Sequence, residues 1–238
     1  MQQWPLTVLT LYPQMFPGPL EVGVIGRALK EKIWQLNTIN IRDFAADKHA
    51  TVDDTPYGGG AGMVMRADVV GNALEHGLSL HSNAPRTLYM SPRGKPLNHA
   101  MVKELAAHEG GLLLLCGRFE GVDQRVIDHY NMEEVSLGDF VLSGGELAAM
   151  ALMDACLRYR PDVLGSQASL EEESFTHHLL EYPHYTRPKF WAGKMVPDVL
   201  MSGDHKKIDD WRKQQAEELT KARRSDLWDK YCKLEGLK

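Results

Sequence analysis

The chain has little that would mark it for export or for a membrane. Its 238 residues include only 3 cysteines, Cys116, Cys156 and Cys232, and none of them forms a CxxC pair. An odd number of widely spaced cysteines predicts reduced thiols rather than disulfides or a zinc site. No apolar run approaches the roughly 20 residues of a membrane-spanning helix, and no basic residue precedes Arg27, unlike in a signal peptide. We expect a cytoplasmic protein without membrane contact.

The sequence also lacks phosphate-binding fingerprints and a basic composition. The glycine-rich stretch Tyr57–Gly62 fits neither GxGxxG after a strand nor the GK[ST] of a P-loop. Taken alone, it indicates either a mobile surface loop or a loop whose bare backbone lets a ligand or RNA approach closely. The formal net charge of -5 argues against a surface that binds nucleic acid everywhere.

Charge is nevertheless divided unevenly along the chain. Residues 177–238 hold 13 Lys and Arg against 10 Asp and Glu, whereas the remaining residues hold 14 against 22. The C-terminal part is therefore weakly cationic, although ordinary solvated helix faces would give the same count. We predict one domain over residues 1–163, a linker over 164–176 and a helical domain over 177–238.

The first two thirds of the chain alternate short apolar runs with helical patterns. Buried strands are predicted where these runs are bounded by Pro or Gly, at Leu6–Leu11, Arg86–Ser91 and Leu112–Cys116. Asn98 is expected to cap one helix, and Val122–Tyr130 predicts another before a strand at Glu133–Leu137. This alternation predicts an α/β fold with a largely parallel sheet covered by helices.

Three more helices are predicted. A capping box at Ser143–Glu146, followed by the apolar run Leu147–Leu157, is typical of a helix start. After the predicted linker, Asp204–Arg223 and Ser225–Leu234 have amphipathic patterns. In the first of these, the predicted apolar face contains Ile208, Trp211, Leu219 and Ala222.

Several side chains have an ordinary structural interpretation when taken alone. Arg158 follows Asp154 by four residues on one helix face, which predicts an ion pair. His177, His178 and His184 lack the i, i+4 spacing of zinc ligands on a helix, so we interpret them as exposed or capping residues. None of these features identifies a function.

Five segments taken together resemble the bacterial tRNA (guanine-N1)-methyltransferase family. They are Asp47–Asp54, Tyr57–Gly62, Cys116–Asp123, Ser136–Glu146 and Glu181–Pro188. The resemblance extends over nearly the whole chain, and it implies a place among the SPOUT methyltransferases. The expected fold is an α/β parallel sheet with a trefoil knot at its C-terminal edge, followed by a small α-helical domain.

The resemblance implies a homodimer that transfers a methyl group from S-adenosylmethionine to N1 of the guanosine 3′ of the tRNA anticodon, guanosine 37. The active site would be shared between the subunits. Three loops would bind the donor through backbone polar groups and apolar walls. The residues that match these loops are Tyr89, Met90, Ser91, Pro92, Gly117, Leu137, Gly138, Asp139, Phe140, Val141, Leu142, Gly144 and Gly145. A divalent ion, Mg²⁺, is also implied, although no local motif supports it.

The same resemblance gives catalytic roles to Glu173, Arg158 and Glu120. Glu173 would be the general base that takes the N1 proton, and Arg158 would stabilise the charge that develops at O6. Glu120 would hold the base or an ion. The family's usual residue at position 173 is Asp, and the longer glutamate leaves Glu172 as an alternative base. We expect RNA binding to order the linker.

The predicted tRNA contacts lie in two regions. The glycine-rich loop would supply Tyr57, Gly58 and Gly59. The C-terminal domain would supply cations that bind phosphates and so position the RNA, namely Arg187, Lys189, Lys206, Arg212, Lys213, Arg223 and Arg224. Two alternatives remain, a SPOUT enzyme that methylates ribose 2′-OH and an RNA-binding relative without catalysis.

Overall fold

A computed structural model describes residues 3–165 and 173–237 of the chain. The chain divides into two compact units, Met1–Gly165 and Ser166–Lys238. Most of the predicted linker, residues 166–172, lies outside the described residues. None of the helices in the described ranges has both the length and the apolar character needed to cross a bilayer.

A five-stranded parallel sheet forms the centre of the first unit. In chain order its strands are β1 (Trp4–Thr10), β2 (Trp34–Asn40), β5 (Arg86–Pro96), β6 (Leu112–Cys116) and β7 (Glu133–Ser136). Between β2 and β5, the two-residue strands β3 (Asp53–Asp54) and β4 (Val64–Met65) form a separate antiparallel pair. The strand order is β2-β1-β6-β5-β7 with every pairing parallel, so the predicted α/β class with a parallel sheet is confirmed.

Helices cover both faces of this sheet. They are α1 (Gly23–Lys30), α2 (Ala67–Ser79), α3 (His99–Ala106), α4 (Gln124–His129) and α5 (Glu146–Leu157). Helices α1, α3 and α5 pack against one face, which includes Leu6 and Leu114, and α2 and α4 pack against the other, which includes Leu9 and Leu113. Because successive side chains of a strand point to opposite faces, a strand covered on both sides is apolar throughout. All five residues of β6 are accordingly buried.

The helix-start signals have mixed outcomes. Asn98 caps α3 as predicted, since its side-chain oxygen accepts a hydrogen bond from the Met101 N–H at 3.0 Å. The capping box predicted at Ser143–Glu146 is wrong. Helix α5 begins at Glu146, and its N-cap is Gly145, which makes no side-chain hydrogen bond. The Glu146 side chain is buried in the interior instead of folding back over the helix end.

The second unit is mainly helical. The predicted amphipathic helices are confirmed as α6 (His205–Arg223) and α7 (Ser225–Glu235). The predicted apolar face of α6 is wrong at Ala222, which is exposed. The buried residues of α6 are Ala216 and Thr220 instead. Upstream of these helices, β8 (Phe190–Trp191) and β9 (Lys194–Met195) form a short antiparallel hairpin.

Candidate active site

The first unit contains a cavity of about 280 Å³ beside the carboxyl ends of β6 and β7. Crevices at the carboxyl ends of parallel strands are the usual ligand sites of α/β sheets. Residues 89–93, 117–121, 135–137 and 140–145 line the cavity, together with Ala148 of α5. The first of these segments lies at the irregularity of β5, whose pairing with β7 shifts register between Met90 and Lys95. The cavity is close in size to the smaller small-molecule sites of proteins.

The three loops predicted to bind the methyl donor meet at this cavity. All of the predicted donor-binding residues line it except Gly138 and Asp139. Gly138 closes a tight turn in which the Ser136 hydroxyl accepts a hydrogen bond from the Gly138 N–H at 3.2 Å, and Asp139 follows this turn. The loop that continues from this turn presents Phe140 and Val141 as an exposed apolar rim.

Two glycines allow the loops to approach one another at the floor of the cavity. A Cβ on Gly117 would lie 2.8 Å from the ring of Tyr89, and a Cβ on Gly145 would lie 2.8 Å from the Cα of Cys116. The Gly145 N–H also donates a hydrogen bond to the Gly117 carbonyl oxygen at 3.0 Å. The segment after β7 is therefore held directly against the end of β6 by bare backbone.

Burial sets the protonation of two groups at this floor. It raises the pKa of the Tyr89 phenol. It also raises the pKa of the fully buried Cys116 thiol well above its usual value, and the nearby negative charge of Glu146 adds to this effect. Both groups therefore stay protonated near neutral pH.

A buried ion pair joins two of the loops. The Glu146 side chain is 1% exposed, and one of its carboxylate oxygens accepts hydrogen bonds from the Arg118 Nε at 3.1 Å and the Thr10 hydroxyl at 2.7 Å. The Arg118 guanidinium also donates to the Ser143 carbonyl oxygen at 3.0 Å and lies over the ring of Tyr12. The Glu146 side chain thus connects the end of β1, the 117–121 loop and the start of α5.

Sequence reasoning missed this pair because the capping-box interpretation placed Glu146 at an exposed helix end. A signal was present in the sequence. Glu146 precedes the run Leu147–Leu157, which is apolar nearly all round, and such a helix is buried. A carboxylate that begins a buried helix needs a partner, since unpaired charges are almost never fully buried.

Glu120 and the glycine-rich loop are neighbours at the edge of the cavity. The Glu120 N–H donates a hydrogen bond to the Met63 carbonyl oxygen at 2.9 Å. Its side chain fills the space that a Cβ on Gly62 would need, with the nearest atoms at 2.5 Å. The loop itself is exposed, and the Tyr57 side chain is fully so. Gly58 and Gly59 have positive φ angles, so this loop depends on glycine for its backbone conformation.

Arg158 lies at the far end of α5 from this cavity. Gly145 and Ala148, at the start of the helix, line the cavity, whereas Arg158 follows the last helical residue. The helix has 12 residues, which span about 18 Å at 1.5 Å per residue. This span is much longer than an arginine side chain, so Arg158 does not reach the cavity floor of its own chain.

Glu173 belongs to the second unit. There it lines a cavity of about 510 Å³ together with Tyr182, Arg212 and Lys213. Glu172, the alternative base, lies outside the described residues. The histidines 177, 178 and 184 are exposed as predicted, and His184 pairs with Glu181 at 2.8 Å.

The cations predicted to contact tRNA differ in their local pairing. Three of them have carboxylate partners within the unit: Arg212 lies 3.6 Å from Asp209, Lys213 lies 3.9 Å from Glu217, and Arg224 binds both oxygens of Asp226 at 2.8 and 2.7 Å. The bond to Asp226 also raises the pKa of Arg224. The remaining predicted contacts, Arg187, Lys189, Lys206 and Arg223, are exposed.

No group of three His, Cys, Asp or Glu side chains that could hold a metal ion occurs in residues 3–165 and 173–237. The Mg²⁺ implied by the family resemblance is therefore not assigned to any residues within these ranges.

A family model and curated relatives match nearly the whole chain. The family model described as tRNA (Guanine-1)-methyltransferase TrmD matches residues 4–230. A tRNA (guanine-N(1)-)-methyltransferase of Sphingopyxis alaskensis is 56% identical over 94% of this chain and 90% of its own length. Proteins of the same name from Novosphingobium aromaticivorans (56% identical, 94% of this chain and 91% of their own) and Brucella ovis (57%, 95% and 92%) are equally similar. The chain therefore belongs to the tRNA (guanine-1)-methyltransferase family.

Proposed function

We propose that the protein transfers a methyl group from S-adenosylmethionine to N1 of guanosine 37, the nucleotide 3′ of the anticodon in tRNA. The observation that carries this proposal is the cavity, where three loops with bare glycine backbone and an apolar rim meet at the strand ends. The names of the relatives supply the reaction class and the RNA. We further propose that the enzyme works in the cytoplasm and that its sheet carries the SPOUT trefoil knot. Membership of the family supports the knot, and the hydrogen bond from the Gly145 N–H to the Gly117 carbonyl oxygen brings the segment after β7 next to the end of β6, a proximity that such a knot requires.

The lining of the cavity suits a nucleoside that carries a sulfonium group. Leu137, Phe140 and Leu142 offer apolar walls for an adenine ring, and loop backbone groups can pair with its edge. Glu120 adds a carboxylate to the same lining. The donor, when bound, supplies an electrophilic methyl carbon attached to a positively charged sulfur.

The protein must then remove a proton from the guanine and stabilise the resulting charge. In the proposed step the N1 electron pair forms the new bond to the methyl carbon, and the electrons of the carbon–sulfur bond return to sulfur. The Glu173 carboxylate accepts the N1 proton as general base. Arg158 donates hydrogen bonds to O6, where negative charge develops. The target guanine must leave its stack to reach these groups.

The position of Arg158 supports a homodimer with shared active sites. Since Arg158 lies about 15 Å along α5 from Ala148, the last helix residue that lines the cavity, we propose that it completes the cavity of a second copy. Phe140, Val141 and Leu147 are exposed near the start of the same helix. They offer an apolar surface of the kind that two copies bury on association.

Mixing two defective variants tests the shared site. Arg158→Ala removes the O6 partner, and Gly145→Ala displaces the donor loop because the added Cβ meets the Cys116 backbone. Mixed dimers should contain one site with an intact cavity and an intact arginine. About a quarter of wild-type activity is therefore expected, since half of the dimers are mixed and each has one complete site.

The mixing experiment has a simple control. Two differently tagged Arg158→Ala chains, mixed in the same way, should stay inactive. The contrary result is an inactive mixture of Arg158→Ala and Gly145→Ala chains in which mixed dimers are present. Arg158 then does not serve the other subunit.

The reaction itself is tested by identifying the product. The protein is incubated with labelled methyl donor and a tRNA transcript that has guanosine at position 37, and the RNA is digested to nucleosides. The expected product is 1-methylguanosine, which should disappear when position 37 is changed to adenosine. A 2′-O-methylated nucleoside would support the ribose methyltransferase instead, and no transfer would support a non-catalytic RNA-binding relative.

A further inference from the structure

The β8–β9 hairpin of the second unit carries three exposed apolar side chains. Trp191 is 71% exposed, Phe190 is 58% exposed and Met195 is 51% exposed. Phe190 and Met195 pair across the two strands and share one face, whereas Trp191, the most exposed of the three, lies on the other face. We call this region the tryptophan hairpin and define it as residues 189–196.

The register of the tryptophan hairpin places Trp191 beside two lysines. Ala192 and Gly193 form the two-residue turn, and both have positive φ angles, as tight hairpin turns require. Trp191 pairs directly with Lys194, and the ladder continues through the hydrogen bond from the Val196 N–H to the Lys189 carbonyl oxygen at 3.0 Å. Because side chains two apart on a strand share a face, Lys189 and Lys194 both lie on the face of Trp191.

The positive charge of this surface is not compensated locally. Residues 182–197 contain Arg187, Lys189 and Lys194 and no Asp or Glu. Within the described residues, none of these three cations lies within 4 Å of a carboxylate oxygen, in contrast to the helix cations Arg212, Lys213 and Arg224. The tryptophan hairpin is thus a place in the unit where an anionic partner can bind without first displacing a carboxylate.

We propose that the Trp191 indole stacks on an unpaired base of the tRNA anticodon loop, while Lys189 and Lys194 bind the flanking phosphates. This inference rests on the proposed function, which supplies the RNA. A single strand presents the matching chemistry, a flat π surface on each base with a negative charge on either side. The bases of a duplex are covered on both faces, so an unpaired base is required. A purely apolar protein partner would instead bury two lysines without partners, which is costly.

The test separates stacking from general apolar contact. Trp191→Leu keeps apolar bulk but removes the aromatic face, whereas Trp191→Phe keeps a ring. We expect Trp191→Leu to weaken tRNA binding about tenfold or more and Trp191→Phe to weaken it less. KM for tRNA should rise in parallel, while kcat at saturating tRNA and the affinity for S-adenosylmethionine stay unchanged. Lys194→Ala should lower the slope of log K against log salt concentration by about 0.7.

Matched controls lie on α7 of the same unit. Leu234 is also exposed, at 61%, so Leu234→Ala removes exposed apolar surface outside the hairpin, and Lys233→Ala removes a charge there. Both controls should leave tRNA binding near the wild-type value.

The outcomes are distinguishable. Wild-type tRNA affinity in Trp191→Leu overturns the inference. So does a changed oligomeric state in sedimentation with unchanged tRNA affinity, because the hairpin then binds a second copy. A wild-type enzyme that binds tRNA through Trp191 but forms no 1-methylguanosine would defeat the proposed function and leave the stacking contact intact.

Discussion

Glu173→Gln is expected to lower the rate of methyl transfer by about 10²–10⁴-fold, the usual contribution of a general base. Glutamine keeps the size and hydrogen-bonding capacity of the side chain, but it cannot accept the N1 proton. The affinity for S-adenosylmethionine should change little, because none of the residues proposed to bind the donor is altered. Single-turnover rates with saturating donor and tRNA, together with calorimetric titration of the donor, measure both quantities.

Two companion variants make this result specific. Glu173→Asp restores the residue usual in the family and should retain most of the activity, since it keeps a carboxylate. Glu172→Gln should be nearly neutral. If Glu172→Gln instead carries the loss while Glu173→Gln turns over like the wild type, the base is Glu172.

Glu146→Gln should destabilise the protein by about 1–3 kcal/mol, because it leaves the largely buried Arg118 guanidinium without its charged partner. The same change releases the 117–121 loop from the start of α5, so weaker binding of the methyl donor is expected as well. Urea unfolding measures the first effect, and donor titration under folded conditions measures the second.

The chain offers a matched control for this ion pair. Arg27 and Glu31 lie 3.9 Å apart with side chains about half exposed, and such a surface pair is worth at most about 1 kcal/mol. Glu31→Gln should therefore have little effect on stability. An Arg118→Met, Glu146→Leu double variant should lose less than the single changes summed, because no charge is left unpaired. Equal decreases in the free energy of unfolding for Glu146→Gln and Glu31→Gln would show that the pair of Arg118 and Glu146 stabilises the fold no more than a surface pair.

Continuous apolar runs made part of the sheet predictable. Leu112–Cys116 was predicted with the bounds of β6, since a central parallel strand is buried on both faces. The edge strand β2 was not predicted, and only Trp34 and Ile39 of its residues are buried. A half-buried edge strand leaves a weak pattern, and the order of strands depends on packing between distant segments.

The features of the candidate site also differ in how far the sequence predicts them. The family resemblance indicated the loops that line the cavity, because the matching segments are visible in sequence. The pair of Arg118 and Glu146 depends on burial, which a motif does not record. The separation of Arg158 from its own cavity follows from the length and direction of α5, and it becomes visible only when the helix is in place.

The buried thiol of Cys116 has a chemical consequence for an enzyme that handles an alkylating agent. A thiolate is a strong nucleophile, and the next residue, Gly117, lines the cavity proposed for the methyl donor. Burial and the charge of Glu146 keep this sulfur protonated by raising its pKa. Burial and the Glu146 carboxylate thus help to protect this thiol from methylation, against the smaller opposing effect of Arg118.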